Sequence, residues 1–181
     1  MGKIIAIDPG ANGALAMLDS SGKVELIKIM PKIASGFDGI GLNDIIESIL
    51  VREEIECVFI EQIHALFGSS AGSTFTFGQI YGMIEGLVIA HHLKYVLVQP
   101  KEWQKEMFQG VKEIRKPSKK NKKDKEVKGR VDTKEMSAIA AKRLFPNEKF
   151  LPTERCTKIH DGMTDSLLIC EYGRRRLNGK V

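Results

Sequence analysis

Four acidic residues hold the chemistry this sequence could do. Asp8 closes the apolar run "IIAID", Glu61 closes "ECVFIE", and Asp161 and Asp165 open the pattern "HDGMTDSLLIC". A carboxylate at the end of a buried strand is costly unless something pairs with it. Asp161 and Asp165 are four residues apart, so on a helix they share one face. Gathered in one place, such acids repel one another, and divalent cations resolve the conflict. Mg²⁺ takes carboxylate oxygens together with waters and substrate phosphates. Two such ions ~3.5–4 Å apart can activate a water and stabilise the leaving oxygen of a phosphodiester. Singly, each acid has a plainer reading: Asp8 as a turn residue, Asp161 as a helix cap, Asp165 as a solvated first-turn acid that suits the helix dipole. His160, beside Asp161, adds an imidazole whose ordinary pKa lies near 6.5.

The elements that must position these residues follow from periodicity. "KIIAID", "NGALAMLD" and "KVELIKIM" are three strands joined by short turns, hence an antiparallel meander. "LNDIIESILVRE" sets Leu42, Ile45, Ile46, Ile49 and Leu50 on one helical face, with Asn43 as its N-cap. "ECVFIE" is a buried strand. If it lies parallel to the first strand, Asp8 and Glu61 meet at the edge where open sheets bind ligands. "FTFGQIYGMIEGLVIAHH" is a long helix with Gly78, Gly82 and Gly86 at successive four-residue steps. Each glycine costs ~1 kcal/mol in a helix, so a second backbone is expected close by, either the chain's own sheet or another subunit. "KYVLVQP" is a fifth strand and "KEWQKEMF" a short helix. Asp132 and Glu135 form a capping box for the next helix, and the last begins near Asp161. The result is an α/β fold: a mixed five-stranded sheet, its first three strands antiparallel, with helices on both faces.

Composition narrows the class. The 181 residues suit a single domain spanning 1–181, with 43% apolar and 28% charged residues. No stretch reads as a transmembrane helix or a signal peptide, and Cys57, Cys156 and Cys170 form no CxxC pair. A cytoplasmic protein with reduced thiols and no membrane partner is expected. The net charge of +5 is local. Residues 112–130 carry ten Lys/Arg against three Asp/Glu, a tract expected to be mobile and able to bind nucleic acid by releasing counterions from phosphates. The glycine turn "DPGANG" has a rival reading as a phosphate cradle of the sugar-kinase and actin kind. That class needs two domains and a second phosphate loop, for which this chain has little room.

Together, "IIAIDPGANGALA", "CVFIEQIHALFGSSAGSTFTFGQIYGMIEG" and "IHDGMTDSLLIC" resemble the RuvC-type Holliday junction resolvases, particularly the shorter variants of bacteriophages and prophages. The resemblance runs from Lys3 to about Tyr172. It implies a ribonuclease H-like fold, a homodimer, Mg²⁺ dependence with Mn²⁺ as a substitute, two ions per site, and paired nicking of branched DNA without a small-molecule cofactor. By position, Asp8, Glu61 and Asp165 match family carboxylates and metal ligands. The bacterial D-x-x-D is D-x-x-x-D here, which leaves His160 and Asp161 as alternatives for the remaining role. Where bacterial members insert a phenylalanine at the junction, this chain has His64, with Phe67, Phe75 or Phe77 as substitutes. Candidate DNA contacts are thus His64, Phe67, Lys101, Lys119, Lys120, Lys122 and Lys123. Other ribonuclease H-like nucleases acting on forks or flaps, and a noncatalytic branched-DNA-binding protein, are the alternatives.

Overall fold

A computed structural model describes residues 2–34, 36–62, 70–117, 119–120, 126–127 and 129–180. Strands β1 (Lys3–Asp8), β2 (Ala14–Leu18) and β3 (Val24–Ile29) form the expected antiparallel meander. A two-residue hairpin, β4 (Lys32–Ile33) with β5 (Gly36–Phe37), leads into α1 (Gly39–Leu50). Then come β6 (Ile55–Glu61), α2 (Ala71–Ala90), β7 (Tyr95–Val98) and α3 (Pro100–Met107). A second small hairpin, β8 (Lys119–Lys120) with β9 (Glu126–Val127), precedes α4 (Thr133–Leu144) and α5 (Asp161–Leu177).

The main sheet has the order β3-β2-β1-β6-β7, with β6 parallel to β1 and β7 parallel to β6. Central β1 is covered on both faces, which is why its apolar residues run without alternation. Ile4 and Ala6 pack with Phe59, Leu167 and Ile169 on one side, where α3, α4 and α5 lie. Ile5 and Ile7 pack with Val58, Ile46 and Ile84 on the other, under α1 and α2. The mixed sheet with helices on both faces is therefore as the sequence implies.

Three local readings change. The N-cap of α1 is Asp38, whose carboxylate accepts from the Gly41 amide at 2.9 Å. Asn43 lies inside the helix and pairs with His91 Nε2 at 2.9 Å. Helix α2 begins at Ala71, capped by Ser70, so most of the "GSSAGST" loop beyond Ser70 is helical. Its glycines do not meet the chain's own sheet: a Cβ added at Gly78, Gly82 or Gly86 would meet open space. Ile80, Ile84 and Val88 face the core instead, while Phe75, Met83 and Ile89 on other sides are exposed.

The described ends of the basic tract are held together. Lys116 donates its amide to the Arg130 carbonyl and Asp132 to that of Ile114, at 2.9 and 2.8 Å, continuing the ladder of β8 and β9. The three cysteines are free thiols. Among the described residues no helix is long and apolar enough to cross a membrane.

Candidate active site

Parallel register places the first two acids together. Ile7 pairs with Ile60, so Asp8 and Glu61 follow as the next residues at the same edge of adjacent strands. Helix α5 lies across β1 and β2 and brings its N-terminal turn to that edge. Gly162 allows this seating: a Cβ there would fall 2.5 Å from the Asn12 carbonyl oxygen and 2.7 Å from the Gly13 carbonyl carbon. Any larger residue would push the helix off the β1–β2 turn. The structure thus assembles Asp8, Glu61, Asp161 and Asp165 from three elements.

Their electrostatics differ. Asp8 is held well above the usual carboxylate range, chiefly by burial and then by the neighbouring charges of Asp165, Glu61 and Asp161. Burial raises Glu61 as well, opposed by a hydrogen bond from the Trp103 indole. Burial pushes Asp165 up to about 7, although the neighbouring Ser137 hydroxyl pulls the other way. Its Oδ1 is buried without a hydrogen-bond partner. This rules out a solvated first-turn acid. Burial also pushes Asp161 upward, but the hydrogen bond and charge of Lys134 outweigh it and leave the pKa lowered.

The donor set fits a hard divalent cation. All four side chains offer carboxylate oxygens, the class that Mg²⁺ and Mn²⁺ take. Asp165 Oδ1, buried without a hydrogen-bond partner, is the kind of oxygen that a cation would satisfy. Among the described residues no three His, Cys, Asp or Glu side chains converge on a single coordination point.

His160 is the N-cap residue of α5, not Asp161, and its side chain makes no capping bond. Its Nδ1 is buried without a partner, and burial lowers its pKa. Lys101 is exposed on α3, and Lys119 and Lys120 lie in β8. His64, Phe67, Lys122 and Lys123 lie outside the described residues. Of the alternative phenylalanines, Phe75 is 68% exposed, while Phe77 packs within 3.2 Å of the Gly10 Cβ position.

Lys134, Ser137 and Trp103 were not among the residues singled out from the sequence. Trp103 Nε1 donates to Glu61 Oε1 at 2.9 Å across 42 residues of chain. Lys134 and Ser137 come from α4, which packs on α5. Only tertiary packing brings these three to the acids, although a lone tryptophan just after the Pro100 helix start was a visible oddity. Beside Asp161 opens a cleft of about 490 Å³ lined in part by Lys116, Lys134, Lys142 and Lys158.

No family model matches the sequence. Nor does any curated protein match it by sequence. Solved structures do match the fold. T. thermophilus RuvC in complex with a Holliday junction substrate superposes with a TM-score of 0.64 at 11% identity, covering 99% of this chain and 98% of that one. A second T. thermophilus RuvC structure gives 0.56 at 14% identity, covering 98% and 97%. From end to end, the chain has the ribonuclease H-like fold of these RuvC structures.

Proposed function

We propose that this chain is a metal-dependent, structure-selective endodeoxyribonuclease of the compact phage or prophage RuvC type, which resolves four-way DNA junctions by paired nicks. One observation carries the reading: Asp8, Glu61, Asp161 and Asp165 gather at one sheet edge, with a buried Asp165 oxygen that lacks a partner. Full-length likeness to a RuvC seen on a Holliday junction supports the choice of substrate.

When bound, two Mg²⁺ or Mn²⁺ ions would supply a water of lowered pKa and stabilise the leaving oxygen. Asp8, Glu61 and Asp165 are the residues that would hold the cations. Asp161 would join them on release of its ion pair with Lys134, whose ammonium would then be free for a DNA phosphate. His160, with its lowered pKa, is neutral at pH 7 and accepts a proton from the attacking water. Lysines of the neighbouring cleft, together with Lys101 and the basic arm, bind the DNA backbone.

The active species is a homodimer. Support comes from α2, where glycines at 78, 82 and 86 face open space beside exposed Phe75 and Met83. That pattern permits close backbone approach by a second copy.

The test is cleavage of a substrate panel by the purified protein: four-way junctions, forks, flaps and linear duplex, with Mg²⁺ and with EDTA. Nicking of four-way junctions in Mg²⁺ alone is expected, and equal cutting of linear duplex would refute junction selectivity. Asp8→Asn keeps the side-chain shape but removes a ligand and a negative charge. It should abolish cleavage and preserve junction binding; cleavage within a few-fold of wild type would overturn the metal-site assignment.

A further inference from the structure

Trp103 is the one tryptophan of the chain and is 1% exposed. A buried indole N–H needs an acceptor, and a backbone carbonyl would serve. Here the acceptor is Glu61 Oε1, at 2.9 Å. Among the described residues no other side chain donates to Glu61.

The indole is also braced from behind. Its ring meets Phe108 edge-on at 5.8 Å and 79°. Helix α3 itself is tied down at several points. Arg175 bonds Glu106 at 3.1 Å, and Arg143 donates to the Met107 carbonyl at 2.9 Å and to that of Gln109. Arg175 is in turn held by Glu171 at 2.8 Å. The N–H therefore approaches Glu61 from a fixed mount.

Neutrality of the donor matters as much as rigidity. Lys134 cancels the charge of Asp161 and competes with any cation for it. An indole N–H fixes a carboxylate yet leaves its full negative charge and its second oxygen free.

We propose that Trp103 is a positioning residue for Glu61, its N–H fixing the carboxylate in the orientation in which it binds a divalent cation beside Asp8 and Asp165. This rests on the cation-site reading above. It extends that site by one outer residue drawn from α3, an element with no acid of its own in the centre. Outer partners of this kind typically govern metal affinity or activity by ~10–100-fold.

Because the chain has a single tryptophan, growth of a tryptophan auxotroph on β-(benzothien-3-yl)alanine replaces residue 103 alone. That analogue keeps the ring's shape and puts sulfur where the N–H stands. Trp103→Phe serves as a second variant, accepted only if its thermal midpoint stays close to that of the wild type. Three quantities are compared for the full chain: Mg²⁺ and Mn²⁺ affinity by calorimetry without DNA, the Mg²⁺ dependence of junction cleavage, and junction affinity in EDTA.

The expected result is a roughly tenfold or greater loss of cation affinity, a matching rise in the Mg²⁺ needed for half-maximal cleavage, and unchanged junction affinity. A wild type that binds cation and cleaves, with an analogue protein that matches it within twofold, overturns the inference and leaves the site reading intact. A wild type that neither binds cation nor cleaves overturns both. Loss of junction affinity in step with cleavage would assign Trp103 to the general fold and also refute the proposal.

Discussion

Asp165 carries the most direct chemical signature at the scale of single residues. Its carboxyl sits at about 7 in the folded chain against 3.8 for an ordinary aspartate. Below about pH 4 it is protonated in both folded and unfolded chains. As pH rises, the unfolded chain ionises first, so the stability associated with this proton falls until about pH 7 and then levels. In EDTA, the stability advantage of Asp165→Asn over wild type should therefore widen between about pH 4 and pH 7, by on the order of 4 kcal/mol at most. Urea unfolding at several pH values measures it, and a constant difference would mean that Asp165 is solvated. Added Mg²⁺ at pH 8 should stabilise wild type more than the variant. Asp8 and Glu61 were legible because a carboxylate ending an apolar run is out of place, and Asp161 and Asp165 because a spacing of four puts them on one helix face. Lys134 and Ser137 were not, since a lysine or serine on a helix near a cap has the same local pattern whether it faces water or an active site.

Elements were legible wherever one periodicity ruled. The meander, β6, β7 and α5 follow the sequence closely because apolar runs and glycine turns bound them. α2 was harder, being apolar on several sides, so its glycines could be assigned to the sheet or to a partner. Geometry separates two kinds of glycine. Gly162 has backbone 2.5 Å from its missing Cβ, whereas Gly82 has open space. Gly162→Ala should cost about 1–3 kcal/mol by overpacking and displace Asp161 and Asp165 from Asp8. Cleavage should then fall further than stability alone explains, measured at a temperature where the variant is fully folded. Gly162→Ala with wild-type activity would refute the seating argument. The basic arm belongs to this scale too. Neutralising Lys119, Lys120, Lys122 and Lys123 together should flatten the salt dependence of DNA binding, by ~0.9 in the log–log slope for each phosphate that is no longer neutralised. An unchanged slope would make the arm a passive linker.

On the proposed function, the whole molecule must match the symmetry of a four-way junction. A four-way junction has approximate two-fold symmetry, and its resolution takes two nicks in strands of like polarity. The described chain holds one cluster of Asp8, Glu61, Asp161 and Asp165, enough for one nick at a time. A C₂ dimer repeats that cluster about the junction's own axis. The open glycine side of α2, flanked by Phe75 at 68% and Met83 at 47% exposure, is where two copies can approach backbone to backbone. Gly78→Leu or Gly82→Leu, filling space that nothing in one chain occupies, should leave the monomer folded and weaken dimerisation, read by sedimentation. Mixing wild-type with Asp8→Asn subunits then tests the division of labour. Heterodimers should bind the junction normally and nick only one strand, leaving an unresolved, singly cut product on a denaturing gel. Two independent cuts by such heterodimers, or a monomer that resolves junctions alone, would overturn the paired-site mechanism while leaving the metal chemistry of each site untouched.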